Sequence, residues 1–389
     1  MTTQDSNQTS VKVGNLRAIV IVSVALMFAG LAGRLLSYPL NRDEHLYIAA
    51  AAGLPNAELY RDLGYNHLPS LPYLLSGIYR LTGTEHLLLT GRIVILLFWL
   101  AALLITGAAG FIGSHLVRRL LDRGAEVHAL VRPETSLHRL ADIIGAIRIH
   151  SLRLADDTAL AGCLAEAAPE QVYHLAVETR LTAHPDFPGA ALSVGEDLLN
   201  LIALLAALAK LPRPPAVFIR AGSIAEYGDA PVPYHEYQKE KPQTPYAAGL
   251  AAGTMYLRVL ESALPFPGVT ARLALVFGPG QSESFLIPAL IQACLQNKPF
   301  QVNRPSDQRD LIYIDDVINA LMLLADNPPP GSQAINIATG IAPTMREVAD
   351  HILNAAGAAP KLLQFGDPSP QSGISEMRAS PEFARALLG

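Results

Sequence analysis

One glycine-rich turn constrains the fold of this chain more than any other feature. A short apolar run ending at Thr106 leads into Gly107, Gly110 and Gly113, and apolar positions then recur at helical spacing until Gly124. A strand, such a turn and a helix are typical of a dinucleotide-binding βαβ unit. The first glycine permits the tight turn, the second lets the backbone approach a pyrophosphate, and the third lets the helix pack on the strand. The sequence therefore predicts a dinucleotide site with its phosphates at the helix N-terminus.

Strand and helix patterns alternate through the following residues. Apolar runs at 127–131, 172–176 and 216–220 are predicted to be the second, fourth and fifth strands. This alternation predicts an α/β fold, with a doubly wound parallel sheet of the Rossmann type and helices on both faces. Arg132 ends the second strand, where NAD sites usually carry an acidic residue and an arginine suits the 2′-phosphate of NADP. The sequence therefore favours NADP somewhat among the NAD(P) cofactors, although Glu134 keeps NAD open.

Composition limits the classes of partner. Half of the 389 residues are hydrophobic and 16% are charged, against about a quarter in ordinary soluble domains, so part of the chain is expected in a membrane. A net charge of −5 gives no basic surface for nucleic acid. No cluster of histidine, cysteine and carboxylate residues has metal-ligand spacing, so no metal is predicted. His174, Cys163 and Cys294 are interpreted as buried core residues.

The first hundred residues differ in kind from the rest. An uncharged stretch at 18–33 becomes long enough to span a membrane when the flanking arginines snorkel, which gives a helix over 16–36. A second span is predicted at 87–104, and its last residues are also needed for the strand before the glycine turn. The predicted organisation has three parts: a disordered tail at 1–15, a membrane helical hairpin region at 16–101 with an extracytoplasmic loop at 37–85, and a domain on the cytoplasmic side at 102–389.

The predicted loop contains motifs of its own. Asn41-Arg-Asp-Glu-His-Leu-Tyr47 and Tyr60-Arg-Asp-Leu-Gly-Tyr-Asn-His-Leu-Pro69 resemble the start of multi-spanning glycosyltransferases that use lipid-linked sugar donors. In that family an acidic residue of the first extracytoplasmic loop acts as catalytic base, and Asp43 or Glu44 would match it. The resemblance covers only residues 15–105, so the two carboxylates are interpreted as solvated loop charges. A glycosyltransferase fragment fused to the second domain is kept as an alternative.

A series of motifs follows the glycine turn. They are Ala221-Gly-Ser-Ile-Ala-Glu-Tyr-Gly228, Pro245-Tyr-Ala-Ala-Gly-Leu250, Val276-Phe-Gly-Pro-Gly-Gln281, Arg309-Asp-Leu-Ile-Tyr-Ile-Asp-Asp-Val317 and Ile335-Asn-Ile-Ala-Thr-Gly340. In this order they resemble the extended short-chain dehydrogenase/reductase family, which includes the NAD(P)-dependent sugar-nucleotide epimerases and dehydratases. The resemblance covers nearly all of residues 102–389. It implies epimerase, dehydratase or reductase chemistry on a nucleotide sugar, with a small C-terminal substrate-binding part at 266–300 and 330–389.

The resemblance also assigns roles to individual residues. Tyr246 is implied to be the general acid/base that exchanges a proton with a sugar hydroxyl or ketone, and Ser223 to hydrogen-bond the same oxygen. Arg309 is implied to bind the diphosphate of the nucleotide sugar, to which a guanidinium fork is suited. The residues implied to contact the cofactor are Thr106, Gly107, Gly110, Phe111, Ile112, Gly113, Arg132 and Ala176.

Several positions depart from the family pattern. Leu250 replaces the lysine, four residues after Tyr246, that lowers the tyrosine pKa and holds the nicotinamide ribose. Gly249 replaces a small polar residue, Arg153 stands where an aspartate near the adenine is usual, and the asparagine expected before the fourth helix is not found at 193–197. The sequence therefore indicates a weakened enzyme, with a non-catalytic NAD(P)-binding pseudoenzyme as the alternative. A homodimer is left open.

Overall fold

The computed structural model describes Ser76, Arg80 and residues 102–178, 185–366 and 373–389. Almost all of the predicted tail and membrane region therefore lies outside the described residues, as do the loop carboxylates Asp43 and Glu44 and the motifs that resemble glycosyltransferases. Contacts group Leu100–Gly389 into one unit, and the fold described below belongs to that unit.

The strands and helices alternate along this unit. The strands are β1 (Ala102–Thr106), β2 (Glu126–Val131), β3 (Arg148–Ser151), β4 (Gln171–His174), β5 (Val217–Ser223), β6 (Gly268–Leu273), β7 (Leu275–Phe277), β8 (Phe300–Val302), β9 (Gln308–Arg309), β10 (Leu311–Tyr313), β11 (Gln333–Ile337), β12 (Leu363–Phe365) and β13 (Glu376–Met377). The helices are α1 (Phe111–Asp122), α2 (Asp157–Ala167), α3 (Phe187–Ser193), α4 (Asn200–Ala209), α5 (Pro245–Val259), α6 (Leu286–Leu295), α7 (Ile314–Asp326), α8 (Met345–Ala355) and α9 (Glu382–Leu388). A π-helical segment, Val194–Leu199, joins α3 to α4.

A seven-stranded parallel sheet forms the centre, in the order β11-β6-β5-β4-β1-β2-β3. Residues that alternate along β1 face opposite sides of it. Leu103 and Ile105 join a core with side chains of α1 and α7, whereas Leu104 joins a core with side chains of α2 and α4. Both faces are covered, so the strands are nearly continuous apolar runs. The predicted doubly wound fold is confirmed.

The C-terminal part has a smaller core of its own. It buries Leu290 of α6, Val302 of β8 and Leu353 of α8. The predicted substrate-binding part at 266–300 and 330–389 is wrong at its edges, because β6 and β11 pair within the central sheet. Membership of a sheet depends on partners distant in the chain, which local patterns do not show.

The residues before the glycine turn were predicted both as the end of a membrane span and as a strand, and they form the strand. β1 covers 102–106 as predicted, and it pairs with β2 and β4, so a membrane span reaching residue 104 is wrong. Within the described residues, one helical stretch, Phe187–Ala209, is long and apolar enough by composition to cross a membrane, and 33% of its most apolar 18 residues are buried. Leu204 and Leu208 of this stretch pack in the core of the domain, as in the core helix of a folded domain.

Candidate active site

The carboxyl ends of β1 and β4 define the crevice at which the strand order reverses. β1 leads through α1 to β2 on one side, whereas β4 lies on its other side. Ligands of open parallel sheets bind at such a switch point, outside the carboxyl ends of the strands. The glycine turn follows β1 at this place.

Contacts within the glycine turn leave no room for side chains. Gly107 has a φ of +71°, and a Cβ on it would lie 2.7 Å from the Ala176 nitrogen. A Cβ on Gly113 would lie 2.2 Å from the Gly107 oxygen, to which the Gly110 nitrogen donates a hydrogen bond over 2.9 Å. The backbone is therefore open to a phosphate, and α1 begins at Phe111 with its first N–H groups directed outward. The turn fits the diphosphate of a dinucleotide.

The floor of this turn is a buried polar contact. The Thr106 hydroxyl lies 2.8 Å from His174 Nδ1 and accepts a hydrogen bond from the Ala176 nitrogen over 3.3 Å. Burial lowers the pKa of His174 to about 3, and its ring stacks on Phe218 with centroids 5.9 Å apart. His174 is thus a neutral, hydrogen-bonded core residue, as predicted. Thr106 and Ala176 hold the turn against β4.

Paired charges line the end of β2. The Arg132 guanidinium lies 3.5 Å from a Glu178 carboxylate oxygen and 3.7 Å from one of Glu196, and Arg153 pairs with Glu134 over 3.1 Å. Two carboxylates beside Arg132 reduce the positive potential available to a 2′-phosphate. The surroundings thus weaken the case for NADP, and the preference stays a prediction.

Ser223 and Tyr246 meet at the carboxyl end of β5. Ser223 ends the strand, and its hydroxyl accepts a hydrogen bond from the Ala225 nitrogen over 3.1 Å, which fixes the side chain. Thr244 caps α5 and Pro245 begins it, so Tyr246 lies in the first helical turn. The Ser223 hydroxyl lies close enough to the Tyr246 phenol to lower its pKa. The structure therefore brings together the two residues to which the sequence assigned the chemistry.

The surroundings of Tyr246 keep its phenol protonated. Burial raises the pKa of Tyr246 to about 12, and the neighbouring Ser223 hydroxyl offsets part of the rise. The negative charges of Glu226 and Asp197 raise this pKa further, whereas the positive charge of Arg220 lowers it. At neutral pH the side chain is a proton donor, and its use as a base requires the help of a cation.

On α5, packing against α3 explains the glycine at position 249, which departs from the family pattern. A Cβ on Gly249 would lie 1.9 Å from the Ser193 hydroxyl oxygen, so α3 approaches α5 too closely for a side chain at this position. The Ser193 hydroxyl lies 3.1 Å from the Pro245 carbonyl oxygen and 3.3 Å from an Asp197 carboxylate oxygen. A hydroxyl is thereby supplied next to Gly249 from the neighbouring helix. The Leu250 side chain is buried.

A buried cation beneath α5 was missed by sequence reasoning. Arg220 lies in the middle of β5 and is 2% exposed. Its guanidinium donates hydrogen bonds to the Leu250 carbonyl oxygen over 3.0 Å and to the Thr254 hydroxyl oxygen over 3.2 Å. A Cβ on Gly253 would lie 2.4 Å from the guanidinium. The available signal was an arginine within an apolar run, but the prediction ended the strand at Arg220 and so treated it as a boundary residue.

The Arg309 guanidinium is already hydrogen-bonded to nearby groups of the protein. Its guanidinium donates to Asp307 over 2.6 Å and to the carbonyl oxygens of Ile374 and Ser375 over 2.9 Å each, and burial lowers its pKa. These contacts fasten β9 to the C-terminal segment. The role of Arg309 at a diphosphate stays a prediction.

A cavity of about 360 Å³ lies beside α6 and β8. Its lining combines apolar and polar groups and includes Ser284, Phe285, Phe300, Asn303 and Arg304. Arg304 pairs with Asp307 over 2.8 Å, yet 35% of its side chain is exposed. Small-molecule sites have this size and this mixture of a few polar groups among apolar ones.

The glycine turn at the switch point and the Ser223–Tyr246 pair define a Rossmann-fold protein of the dinucleotide-binding class. The model of the NAD dependent epimerase/dehydratase family matches residues 103–338. The chain therefore belongs to this family, whose members are oxidoreductase-type enzymes of nucleotide sugars.

Individual relatives cover most of the chain. It is 33% identical over 298 residues to the UDP-glucose 4-epimerase of Mycolicibacterium smegmatis, covering 74% of this chain and 92% of that protein. The structure of MoeE5 in complex with UDP-glucuronic acid and NAD is similar with a TM-score of 0.64 and 28% identity, covering 74% of this chain and 93% of that one. The NAD complex of UDP-glucose 4-epimerase from Thermus thermophilus gives a TM-score of 0.63 and 27% identity, with 73% and 92% covered.

Proposed function

We propose that the chain catalyses an NAD-dependent epimerase or dehydratase reaction on a nucleoside-diphosphate sugar, with UDP sugars as the first candidates. The observation that carries the proposal is that the fold brings Ser223 and Tyr246 together at the carboxyl end of the sheet. The relatives support the substrate class, since they include a UDP-glucose 4-epimerase and a protein complexed with UDP-glucuronic acid.

Different residues would bind the cofactor and transfer the proton in such a site. The glycine turn and the first turn of α1 hold the diphosphate of the cofactor, whose nicotinamide supplies the hydride acceptor and donor when bound. Tyr246 Oη holds a proton at neutral pH and can pass it to a sugar carbonyl oxygen, while the Ser223 hydroxyl orients that oxygen. In the reverse direction Tyr246 must first lose its proton, which its raised pKa opposes.

The cavity beside α6 and β8 suits the nucleotide part of the substrate. Phe285 and Phe300 offer apolar surface, Asn303 offers hydrogen-bonding groups, and Arg304 offers a partly exposed cation for phosphate. Arg309 would join it at the diphosphate only after exchanging some of its present contacts.

The proposed cofactor is NAD. Glu178 and Glu196 already engage Arg132, and the two solved neighbours described above contain NAD. The NADP preference indicated by Arg132 is the competing proposal, and the two are separated by the titration described in the Discussion.

The test uses the full chain, NAD and a panel of nucleotide sugars that includes UDP-glucose, UDP-glucuronic acid and dTDP-glucose. Product formation is followed by proton NMR of the sugar. Conversion of at least one substrate is expected, and Tyr246→Phe should slow it by about 10²–10⁴-fold. NAD binding without any conversion would favour the pseudoenzyme alternative, which Leu250 motivates. Failure to bind either NAD or NADP would contradict both.

We also propose that the first hundred residues attach the protein to a membrane, with the domain at 102–389 on the cytoplasmic side, where NAD is available. The support is the apolar stretch at 16–36 and a second one that has to end before residue 102. Ultracentrifugation without detergent is expected to pellet the full-length protein. Recovery in the supernatant would contradict this proposal.

A homodimer is proposed on the basis of an exposed apolar surface on α3, α5 and the π-helical segment. The exposed apolar side chains of these three elements, here called the helix surface, are Leu192, Val194, Leu199, Met255 and Val259, each between 40% and 70% exposed. The helices that carry these side chains pack against each other. A second copy of the chain is the proposed occupant, because a two-fold axis brings identical apolar patches face to face.

A further inference from the structure

The structure contains a cation that can replace the one missing from α5. We propose that Arg220 is the positioning residue of Tyr246, and that its guanidinium supplies from β5 the positive charge that the family's lysine supplies from the position of Leu250. The inference rests on the proposed function, since it concerns how Tyr246 is prepared for proton transfer.

Arg220 reaches the face of α5 that carries Tyr246. Tyr246, Leu250, Gly253 and Thr254 stand at i, i+4, i+7 and i+8 and therefore share one face of the helix. The Arg220 guanidinium bonds the Leu250 carbonyl oxygen over 3.0 Å and the Thr254 hydroxyl over 3.2 Å. It thus lies against the turn of α5 that runs from Leu250 to Thr254, on the C-terminal side of the turn that carries Tyr246.

The Arg220 side chain packs against α5 at Gly253. A Cβ on Gly253 would lie 2.4 Å from Arg220 Nη2, so any other residue there would displace the guanidinium. The glycine in this helix has a specific packing role, although glycine costs about 1 kcal/mol in a helix interior relative to alanine.

Direct pairing does not cancel the charge of Arg220. Both of its hydrogen bonds go to neutral oxygens, and in the described parts of the chain no carboxylate oxygen lies within 4 Å of its guanidinium. Glu226 pairs instead with Arg272 over 2.9 Å, and it reaches Arg220 only through the Thr254 hydroxyl, which donates to its carboxylate over 2.8 Å. A buried arginine that lacks a contacting carboxylate is unusual, and its field extends to the groups around it.

Those groups come from every element packed against the guanidinium. They are His174 of β4, Asp197 of the π-helical segment, Glu226 of the turn after β5, Tyr246 of α5 and Arg272 of β6. The two carboxylates and burial disfavour the phenolate of Tyr246, whereas Arg220 favours it. Arg220 is 2% exposed and therefore leaves the ribose contact of the family's lysine unreplaced.

The test is a titration that needs no turnover. 3-Nitrotyrosine placed at position 246 absorbs visible light as the phenolate, so its pKa can be measured apart from the other tyrosines. Arg220→Gln is expected to raise this pKa by about one unit, and in the unmodified site to lower the rate at neutral pH about tenfold. Arg220→Lys keeps the charge and should restore most of both.

Leu250→Met is the matched control, because it alters the same buried face of α5 without changing a charge or removing a hydrogen bond. It should leave the nitrophenol pKa within about 0.3 unit, while NAD binding and thermal unfolding show that each variant is folded. Should Arg220→Gln fail to fold, Gly253→Ala displaces the guanidinium without removing it and should shift the pKa in the same direction.

Equal shifts in Arg220→Gln and Leu250→Met, or none in Arg220→Gln and Gly253→Ala, would overturn the proposal and leave Arg220 as a packing residue. Absence of turnover in every variant would count against the proposed function instead, because the titration still decides the role of Arg220.

Discussion

At the scale of single residues, neighbouring charges decide what the site recognises. Arg132 by itself would attract a 2′-phosphate, but Glu178 and Glu196 lie within 4 Å of its guanidinium and would repel that phosphate. The same reasoning applies on α5, where the apolar Leu250 is compatible with proton transfer if Arg220 carries the missing charge. A residue at a family position therefore has to be judged together with the groups that surround it.

We expect NADH to bind more tightly than NADPH, because Arg132 is already paired with two carboxylates that would repel a 2′-phosphate. Glu196→Gln should raise the affinity for NADPH about tenfold and leave that for NADH nearly unchanged. Calorimetric titration of both cofactors against both proteins measures this. Tighter NADPH binding by the unaltered protein would instead support the preference indicated by the sequence.

Leu250→Lys is expected to destabilise the protein without accelerating the reaction. The Leu250 side chain is 1% exposed, so the new ammonium would be buried close to the Arg220 guanidinium, at a cost of about 3–5 kcal/mol. The double variant Leu250→Lys/Arg220→Met should react faster than Leu250→Lys and regain part of the stability that Leu250→Lys loses. Leu250→Met is the size-matched control. Urea denaturation and single-turnover kinetics measure both effects. A faster single variant would show that Arg220 leaves Tyr246 under-activated.

At the scale of elements, local sequence patterns predicted where strands and helices lie along the chain, but not the contacts between elements that are distant in sequence. β1 was predicted over 102–106, where it lies, since an apolar run before a glycine turn is a local signal. β5 extends to Ser223, beyond its predicted end at Arg220, because the fold buries and hydrogen-bonds that arginine. The contact of Gly249 with Ser193 joins separate helices, and no periodicity reveals it.

Gly249→Ser tests how closely α3 and α5 approach each other. The new Cβ would lie 1.9 Å from the Ser193 oxygen, so the free energy of unfolding should fall by about 1–3 kcal/mol. Adding Ser193→Gly should recover most of this loss. Gly162→Ala in α2, where nothing lies within 4 Å of the new Cβ, should instead stabilise by about 0.5–1 kcal/mol. Unchanged stability in Gly249→Ser would contradict the close contact.

At the scale of the whole molecule, one sheet carries both the stability and the site. Its strands are buried on both faces, yet they place His174 and Arg220 side by side on β4 and β5. Each is hydrogen-bonded, as buried polar groups have to be. The free energy of unfolding therefore depends on the protonation of groups buried in the same sheet that positions Tyr246.

The free energy of unfolding should depend on pH through His174. Burial lowers its pKa from 6.5 to about 3 in the folded protein, so its contribution to stability is complete above pH 6.5 and is lost as the pH falls towards 3. Between pH 7 and pH 5 the loss should be about 2 kcal/mol. Urea denaturation at several pH values should show this decrease in the unaltered protein and in the exposed-site control His138→Gln, and a smaller one in His174→Gln, where the lowered pKa of His128 still contributes. Equal decreases in all three would exclude His174 as the cause.

Association of two copies involves the whole molecule, and the helix surface on α3, the π-helical segment and α5 can be tested with one added charge. Val259 is 68% exposed on α5, and Val259→Glu would bury two carboxylates at a two-fold interface. The dissociation constant of the dimer should rise at least a hundredfold, since a desolvated, unpaired charge costs several kcal/mol. Ile341→Glu is the control, because Ile341 is 71% exposed and lies on none of these helices. Sedimentation equilibrium of the full chain in detergent, with NAD binding as the check of folding, measures the change. A monomeric unaltered protein at micromolar concentration would contradict the proposed pairing.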